Sequence, residues 1–188
     1  MILYLHGFTS GPQSSKARML AERMAARGLA DQFVCPQLPA SPAEAIALAD
    51  GIVAKVSPRG TPCVVGSSLG GYYATYLAEK HGLRAVLINP AVAGQVDPTL
   101  FIGRHQFLYT GEEFDFTATH VEELRALDVP AIARPERYWL LAETGDETLD
   151  YRKAVVHYAG ARQTVLDGGD HSFTRWADYL DDVIGFCS

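Results

Sequence analysis

Apolar residues along the chain fall into two alternating patterns. Short, largely apolar runs occur at Ile2 to Leu5, Phe33 to Cys35, Cys63 to Val65, Ala85 to Ile88, Tyr138 to Ala142 and Thr164 to Leu166. Their length and their content of Val, Ile, Leu and aromatic residues predict strands buried on both faces, as in a parallel sheet. Between the runs, apolar positions recur with helical period. Ala17, Leu20, Ala21 and Met24 fall at i, i+3, i+4 and i+7, and Ile46, Ala49, Val53 and Val56 keep a similar stripe. Trp176, Leu180, Val183 and Cys187 predict a last amphipathic helix with Asp178, Asp181 and Asp182 on its outer face. This alternation is the βαβ signature, so the chain is expected to form an α/β domain with helices on both faces of its sheet.

One connection breaks the rhythm. The stretch from Ile88 to Tyr138 is several times longer than the dozen or so residues that a crossover needs. Pro90, Gly94, Pro98, Gly103 and Gly111 interrupt it, and only Val121 to Leu127 reads as helical. A small cap insertion at about 91–135, over the carboxyl edge of the sheet, is the expectation. The whole chain, 188 residues, suits one domain.

Charge narrows the choice of partner. Sixteen Lys and Arg against 22 Asp and Glu give a net charge of −6, with no basic stripe of the kind that nucleic acid requires. In its second half the cap carries, between Glu112 and Asp128, the acidic residues Glu112, Glu113, Asp115, Glu122, Glu123 and Asp128 against Arg125 alone, so a strongly anionic substrate is not drawn to that surface. Cys35, Cys63 and Cys187 are odd in number and lack a CxxC spacing, which predicts neither a disulfide nor a zinc site and fits a reducing cytoplasm. No metal or organic cofactor is implied. Met1 leads straight into a strand, with no basic leader and no apolar run long enough for a signal peptide or a membrane span.

The chemistry concentrates in Gly66, Ser67, Ser68, Leu69 and Gly70, a Gly-x-Ser-x-Gly run between the strand at Cys63 and the helical stretch Gly71 to Glu79. A serine on a sharp strand-to-helix turn presents its hydroxyl above the sheet, at a helix N-terminus that favours a developing anion. A dinucleotide-binding turn fits less well, because Ser68 occupies the place of that motif's second glycine. A serine nucleophile needs a base, itself oriented by a carboxylate, in the order Ser, acid, His. His171 follows the last predicted strand in Asp167, Gly168, Gly169, Asp170, His171 and is the expected base. Asp146 follows the strand at Tyr138 and is the expected acid. Asp150 is its rival, better explained as a helix N-cap, and Asp167 and Asp170 suit turn formation. The N–H groups of Leu69 and of Phe8, in the loop after the first strand, are the expected oxyanion donors, while His6 is expected to hold that loop by hydrogen bonding. Phe101, Phe107, Tyr109, Phe114 and Phe116 are candidates for an acyl pocket or for core packing, and Tyr72 and Tyr73 for helix packing.

Taken together, LYLHGF at Leu3 to Phe8, PQLP at Pro36 to Pro39, VGSSLGGYYAT at Val65 to Thr75, NPAV at Asn89 to Val92, TGDETLDYR at Thr144 to Arg152 and GGDHSF at Gly168 to Phe173 resemble the small YqiA-like esterase family of the α/β-hydrolase superfamily. The resemblance covers nearly the whole chain. It implies a Ser68, Asp146 and His171 triad, and hydrolysis of carboxylic esters or thioesters without a cofactor. It further implies a compact hydrolase fold that begins at the strand carrying the oxyanion loop, with six parallel strands in the order 2-1-3-4-5-6. Asp170 stands where that family would have Asn, a carboxylate that could raise the basicity of His171. Acyl transfer through the same triad, or ligand binding without catalysis, are the alternatives; oligomeric state is not legible.

Overall fold

Successive side chains of a strand point to opposite faces, and in the computed structural model, which describes residues 1–57 and 60–188, this alternation sorts the core into two layers. The strands are β1 (Ile2–Leu5), β2 (Phe33–Val34), β3 (Cys63–Ser67), β4 (Arg84–Ile88), β5 (Gly103–Gln106), β6 (Glu113–Phe116), β7 (Tyr138–Glu143) and β8 (Arg162–Leu166). The helices are α1 (Ser15–Ala26), α2 (Pro42–Val56), α3 (Leu69–His81), α4 (Ala118–Arg125), α5 (Tyr151–His157) and α6 (Trp176–Phe186). Leu3, Leu5, Val64 and Leu140 pack with α2, α3 and α5, whereas Ile2, Tyr4, Val65 and Leu141 pack with α1 and α6.

Six strands form one sheet in the order β2-β1-β3-β4-β7-β8, every pair parallel. This is the expected 2-1-3-4-5-6 order once the two cap strands are set aside. The order reverses beside β1 and β3, and Leu5 pairs with Gly66, so the loops leaving these strands open at one crevice.

The connection from β4 to β7 holds the antiparallel pair β5 and β6, with Gly103 opposite Phe116 and Gln106 opposite Glu113, followed by α4. The hairpin was not legible in sequence. Arg104, His105 and Gln106 are polar on both sides, and only Phe114 and Phe116 give the second strand an apolar face. The cap helix begins earlier than the apolar run at Val121 suggests, because Thr117 and His120 form a capping box with Thr117 N–H donating to His120 Nδ1 at 3.2 Å. Ser41, the N-cap of α2, donates to Glu123 at 2.7 Å and ties this helix to the body of the sheet.

The cysteine expectation is corrected. Cys63, at the start of β3, is disulfide-bonded to Cys187, just beyond α6, with Cα atoms 5.2 Å apart and a sequence separation of 124. Spacing along the chain gives no sign of a bridge made by packing α6 beneath β3. Cysteine content therefore no longer speaks for a reducing compartment. Among the described residues, no helix is long and apolar enough to cross a membrane.

Candidate active site

β3 ends at Ser67 and α3 starts at Leu69, leaving Ser68 alone in the turn at φ 56° and ψ −121°. The flanking glycines are steric requirements. A Cβ on Gly66 would lie 2.2 Å from the carbonyl oxygen of Gly70, and one on Gly70 would lie 1.9 Å from that of Leu5. Both obstacles are backbone and cannot move aside. Gly70→Ala is accordingly expected to force β1 and α3 apart at a cost of about 3 kcal/mol or more, lowering the melting temperature by roughly 10 °C. Thermal unfolding of the variant beside the wild type is the check.

Two loops from neighbouring strand ends meet this turn. His171, after β8, places Nε2 3.0 Å from Ser68 Oγ, and its Nδ1 lies 2.9 Å from both Asp146 carboxylate oxygens. The Asp146 side chain is 1% exposed and also accepts the N–H groups of Thr148 and Leu149 at 2.9 and 2.8 Å. Burial alone would push the Asp146 carboxyl up; the hydrogen bonds from His171, Leu149 and Thr148 outweigh it and hold the group below the ordinary carboxylate range. With its folded pKa depressed, Asp146 contributes stability that is present above the ordinary carboxylate pKa and is lost as pH falls through the folded value. Facing the ionised Asp146 carboxylate, the proton of a neutral His171 ring belongs on Nδ1, which leaves Nε2 to accept the Ser68 hydroxyl.

The rival carboxylates are engaged elsewhere. Asp150 caps α5 by accepting Arg152 N–H at 3.0 Å, and Asp167 accepts the Thr144 hydroxyl at 3.1 Å. Asp170 accepts Ser172 N–H at 2.7 Å and the Ser172 hydroxyl.

Leu69 opens α3, so its N–H has no acceptor within the helix. The loop after β1 runs against Ser68, since a Cβ on Gly7 would come 3.3 Å from Ser68 Cβ, and Phe8 follows directly. His6, 3% exposed, accepts Leu38 N–H at Nε2 over 3.0 Å, which leaves Nδ1 to donate to Gly7 O at 2.9 Å. Burial lowers its pKa, so the ring stays neutral and holds the loop.

Four further side chains grip the loop around His171, and the sequence assigned a role to none of them. Glu143, the last residue of β7, is fully buried and accepts from Asp170 N at 2.9 Å, Thr174 N at 3.0 Å, Thr174 Oγ1 at 2.9 Å and Arg175 N at 3.1 Å. Asn89, just past β4, donates to the carbonyls of Asp170 and His171 at 2.9 and 3.2 Å and accepts Glu143 N–H at 3.0 Å. Glu147 accepts His171 N–H at 3.0 Å, and Lys16 donates to Ser172 O at 2.6 Å. The available sequence signal was a carboxylate ending an otherwise apolar strand. Backbone strain gathers here as well: among the described residues, the non-glycine positions with positive φ are Thr9, Ser68, Asn89 and Phe173, and all lie in loops around Ser68 and His171.

A cavity of about 900 Å³ opens over Ser68 and His171. One part is apolar, with Phe8, Leu69, Val92, Phe101, Phe116 and Leu124 in its wall. Phe8 anchors that part, its ring packing edge-on against Phe101 and Phe116 at 5.6 and 5.5 Å. Of the other aromatic candidates, Phe107 and Phe114 pack on each other at 4.6 Å and Tyr109 is exposed. Tyr73 is buried in the core, whereas Tyr72 faces the cavity and donates to Leu124 O at 2.8 Å, linking α3 to the cap. Among the described residues, no group of three or more His, Cys, Asp or Glu is arranged to hold a metal ion.

A family model described as "Uncharacterised protein family (UPF0227)" matches residues 1–188. Among solved structures, the fold is similar to a provisionally assigned hydrolase from Agrobacterium vitis S4, at a TM-score of 0.74 and 20% identity over 100% of this chain and 87% of that one. It is also similar to mouse alpha/beta hydrolase domain-containing protein 10, at 0.68 and 17% over 100% and 90% of the two chains. The monoacylglycerol lipase of Paleococcus ferrophilus matches at 0.68 and 15% over 99% and 93%. At these identities the likeness establishes the fold, that of an α/β hydrolase.

Proposed function

The chain belongs to the Uncharacterised protein family (UPF0227), and from that premise we propose that it is a serine hydrolase of carboxylic esters or thioesters. One observation carries the reading: His171 stands between Ser68 Oγ at 3.0 Å and the buried Asp146 carboxylate at 2.9 Å. In the proposed cycle Ser68 Oγ attacks the acyl carbonyl carbon while its proton passes to His171 Nε2. The N–H groups of Phe8 and Leu69 hold the resulting oxyanion. As the tetrahedral intermediate collapses, the bond to the leaving oxygen or sulfur breaks, and His171 gives that atom the proton. Water then loses a proton to His171, attacks the acyl-enzyme and releases the carboxylic acid, and Ser68 recovers its proton. Asp146 fixes the imidazole's orientation and stabilises its charged form. The apolar part of the cavity suits an acyl chain, and the lipase among the structural neighbours is consistent with ester chemistry.

A fluorophosphonate probe is expected to label the wild-type protein on the peptide containing Ser68, and Ser68→Ala is expected to remain unlabelled. Wild-type protein that resists the probe, or a label borne on another residue, defeats the proposal.

A further inference from the structure

Beside His171 the character of the cavity changes. Lys16 and Ser14, from the start of α1, share this wall with Glu147 and Ser172. The Lys16 ammonium has three protons, and its hydrogen bond to Ser172 O is the only one it makes among the described residues, so two donors remain. The Ser14 Oγ is buried and has no hydrogen-bond partner among the described residues. A buried hydroxyl without a partner is costly, and turning the Ser14 side chain about χ1 toward the cavity that the residue lines lets a ligand atom accept from it and removes the cost.

Orientation follows from the chemistry. His171 delivers its proton to the leaving atom, so the wall next to His171 meets the alcohol portion of an ester, while the acyl chain takes the phenylalanine-lined part. We propose that Lys16 and Ser14 form a leaving-group subsite selecting esters whose alcohol carries an uncharged hydrogen-bond acceptor, a free hydroxyl above all; this rests on the serine-hydrolase reading. An anion is disfavoured because Glu147 lines the same wall and the Asp146 and Asp170 carboxylates stand in the loops on either side of it. Hydroxyl-bearing leaving groups gain donors there that an alkyl group of the same shape cannot use.

The test uses propyl and hydroxyethyl esters of one fatty acid, which match in size and differ by a methyl against a hydroxyl. Wild-type protein is expected to prefer the hydroxyethyl ester in kcat/KM by about tenfold or more, and Lys16→Met to lower that preference by about tenfold, mainly through KM. Ser14→Ala, which leaves the Lys16 contact in place, is expected to lower the preference in the same sense. Equal turnover of the two esters by the wild type overturns the subsite, as does an equal loss on both esters in Lys16→Met, which would make Lys16 a support of the loop alone. Should Lys16→Met fail to fold, an unchanged preference in Ser14→Ala overturns it. Fluorophosphonate labelling separates the two levels: a labelled enzyme without the preference rejects only the subsite, and an unlabelled wild type rejects the hydrolase reading beneath it.

Discussion

Ser68→Ala is expected to lower kcat by up to about a millionfold, leaving a residue of about a thousandfold over the uncatalysed reaction from oxyanion donors and binding. The size follows from what the hydroxyl does. In the proposed cycle no acyl-enzyme forms without Oγ, and His171 Nε2, which lies 3.0 Å from Ser68 Oγ in the wild type, is left with only a poorly placed water to activate. His171→Ala is expected to cost about as much, and the double variant little more, because the groups act as one unit. Asp146→Asn is expected to cost about ten-thousandfold, since an amide facing Nδ1 no longer fixes the tautomer that accepts from Ser68. Stability should barely respond to Ser68→Ala. The turn keeps its φ of 56° with either side chain, and the freed imidazole, 23% exposed, can turn to water. A melting temperature within about 2 °C of wild type, together with the loss of turnover, separates chemistry from folding. Turnover of a model ester within tenfold of wild type removes Ser68 from the mechanism.

How much of this was written locally in the chain depends on which force fixed each part. Strands β1, β3, β4 and β7 are buried on both faces, so their composition alone marks them, and Ile2 to Leu5 matches residue for residue. The sharp turn at Ser68 was legible because it imposes close backbone approach, which Gly66 and Gly70 record in the sequence. Asp146 and Asp150 differ in what they touch: Asp150 accepts Arg152 N–H and caps α5, which a turn-forming sequence announces locally, whereas Asp146 faces His171 Nδ1 across 25 residues. The β5–β6 hairpin escaped because its strands lie on the surface and carry polar residues on both sides. The disulfide escaped for a different reason: the helix that brings Cys187 to Cys63 is placed by packing across the whole domain. The grip on the His171 loop is of that second kind. Glu143, Asn89, Glu147 and Lys16 come from four separate segments, and only the fold shows that their partners are successive groups of one loop.

That grip gives the second large effect. Glu143→Gln is expected to lower kcat by about a hundredfold or more and to cost about 3 to 5 kcal/mol of stability. The Glu143 carboxylate is fully buried and accepts from three backbone N–H groups and one hydroxyl, all between Asp170 and Arg175. A glutamine replaces one of its oxygens with a second set of donors. Turned toward Asp170 and Thr174, the new N–H groups confront two backbone N–H groups; turned toward Thr174 Oγ1 and Arg175, they confront one N–H and a hydroxyl that can rotate. The second arrangement costs less but still leaves a buried donor unmet, and the loop must shift to relieve it. There is no slack on the other side, because Gly169, at φ 71°, lies so close that a Cβ there would come 1.9 Å from Glu143 Oε2. The shift therefore passes to His171, two residues along, whose Nε2 must stay within hydrogen-bond reach of Ser68 Oγ. Asn89 and Lys16 still hold the Asp170, His171 and Ser172 carbonyls, so the variant should remain folded at low temperature, with an imidazole displaced relative to the serine. Gly169→Ala presses on the same carboxylate from the other direction and is expected to reproduce the defect with the Glu143 side chain intact. Slower fluorophosphonate labelling in both variants, in step with the fall in kcat, is the expected signature of a misplaced base; labelling at the wild-type rate would mean that the loop carries His171 correctly without Glu143.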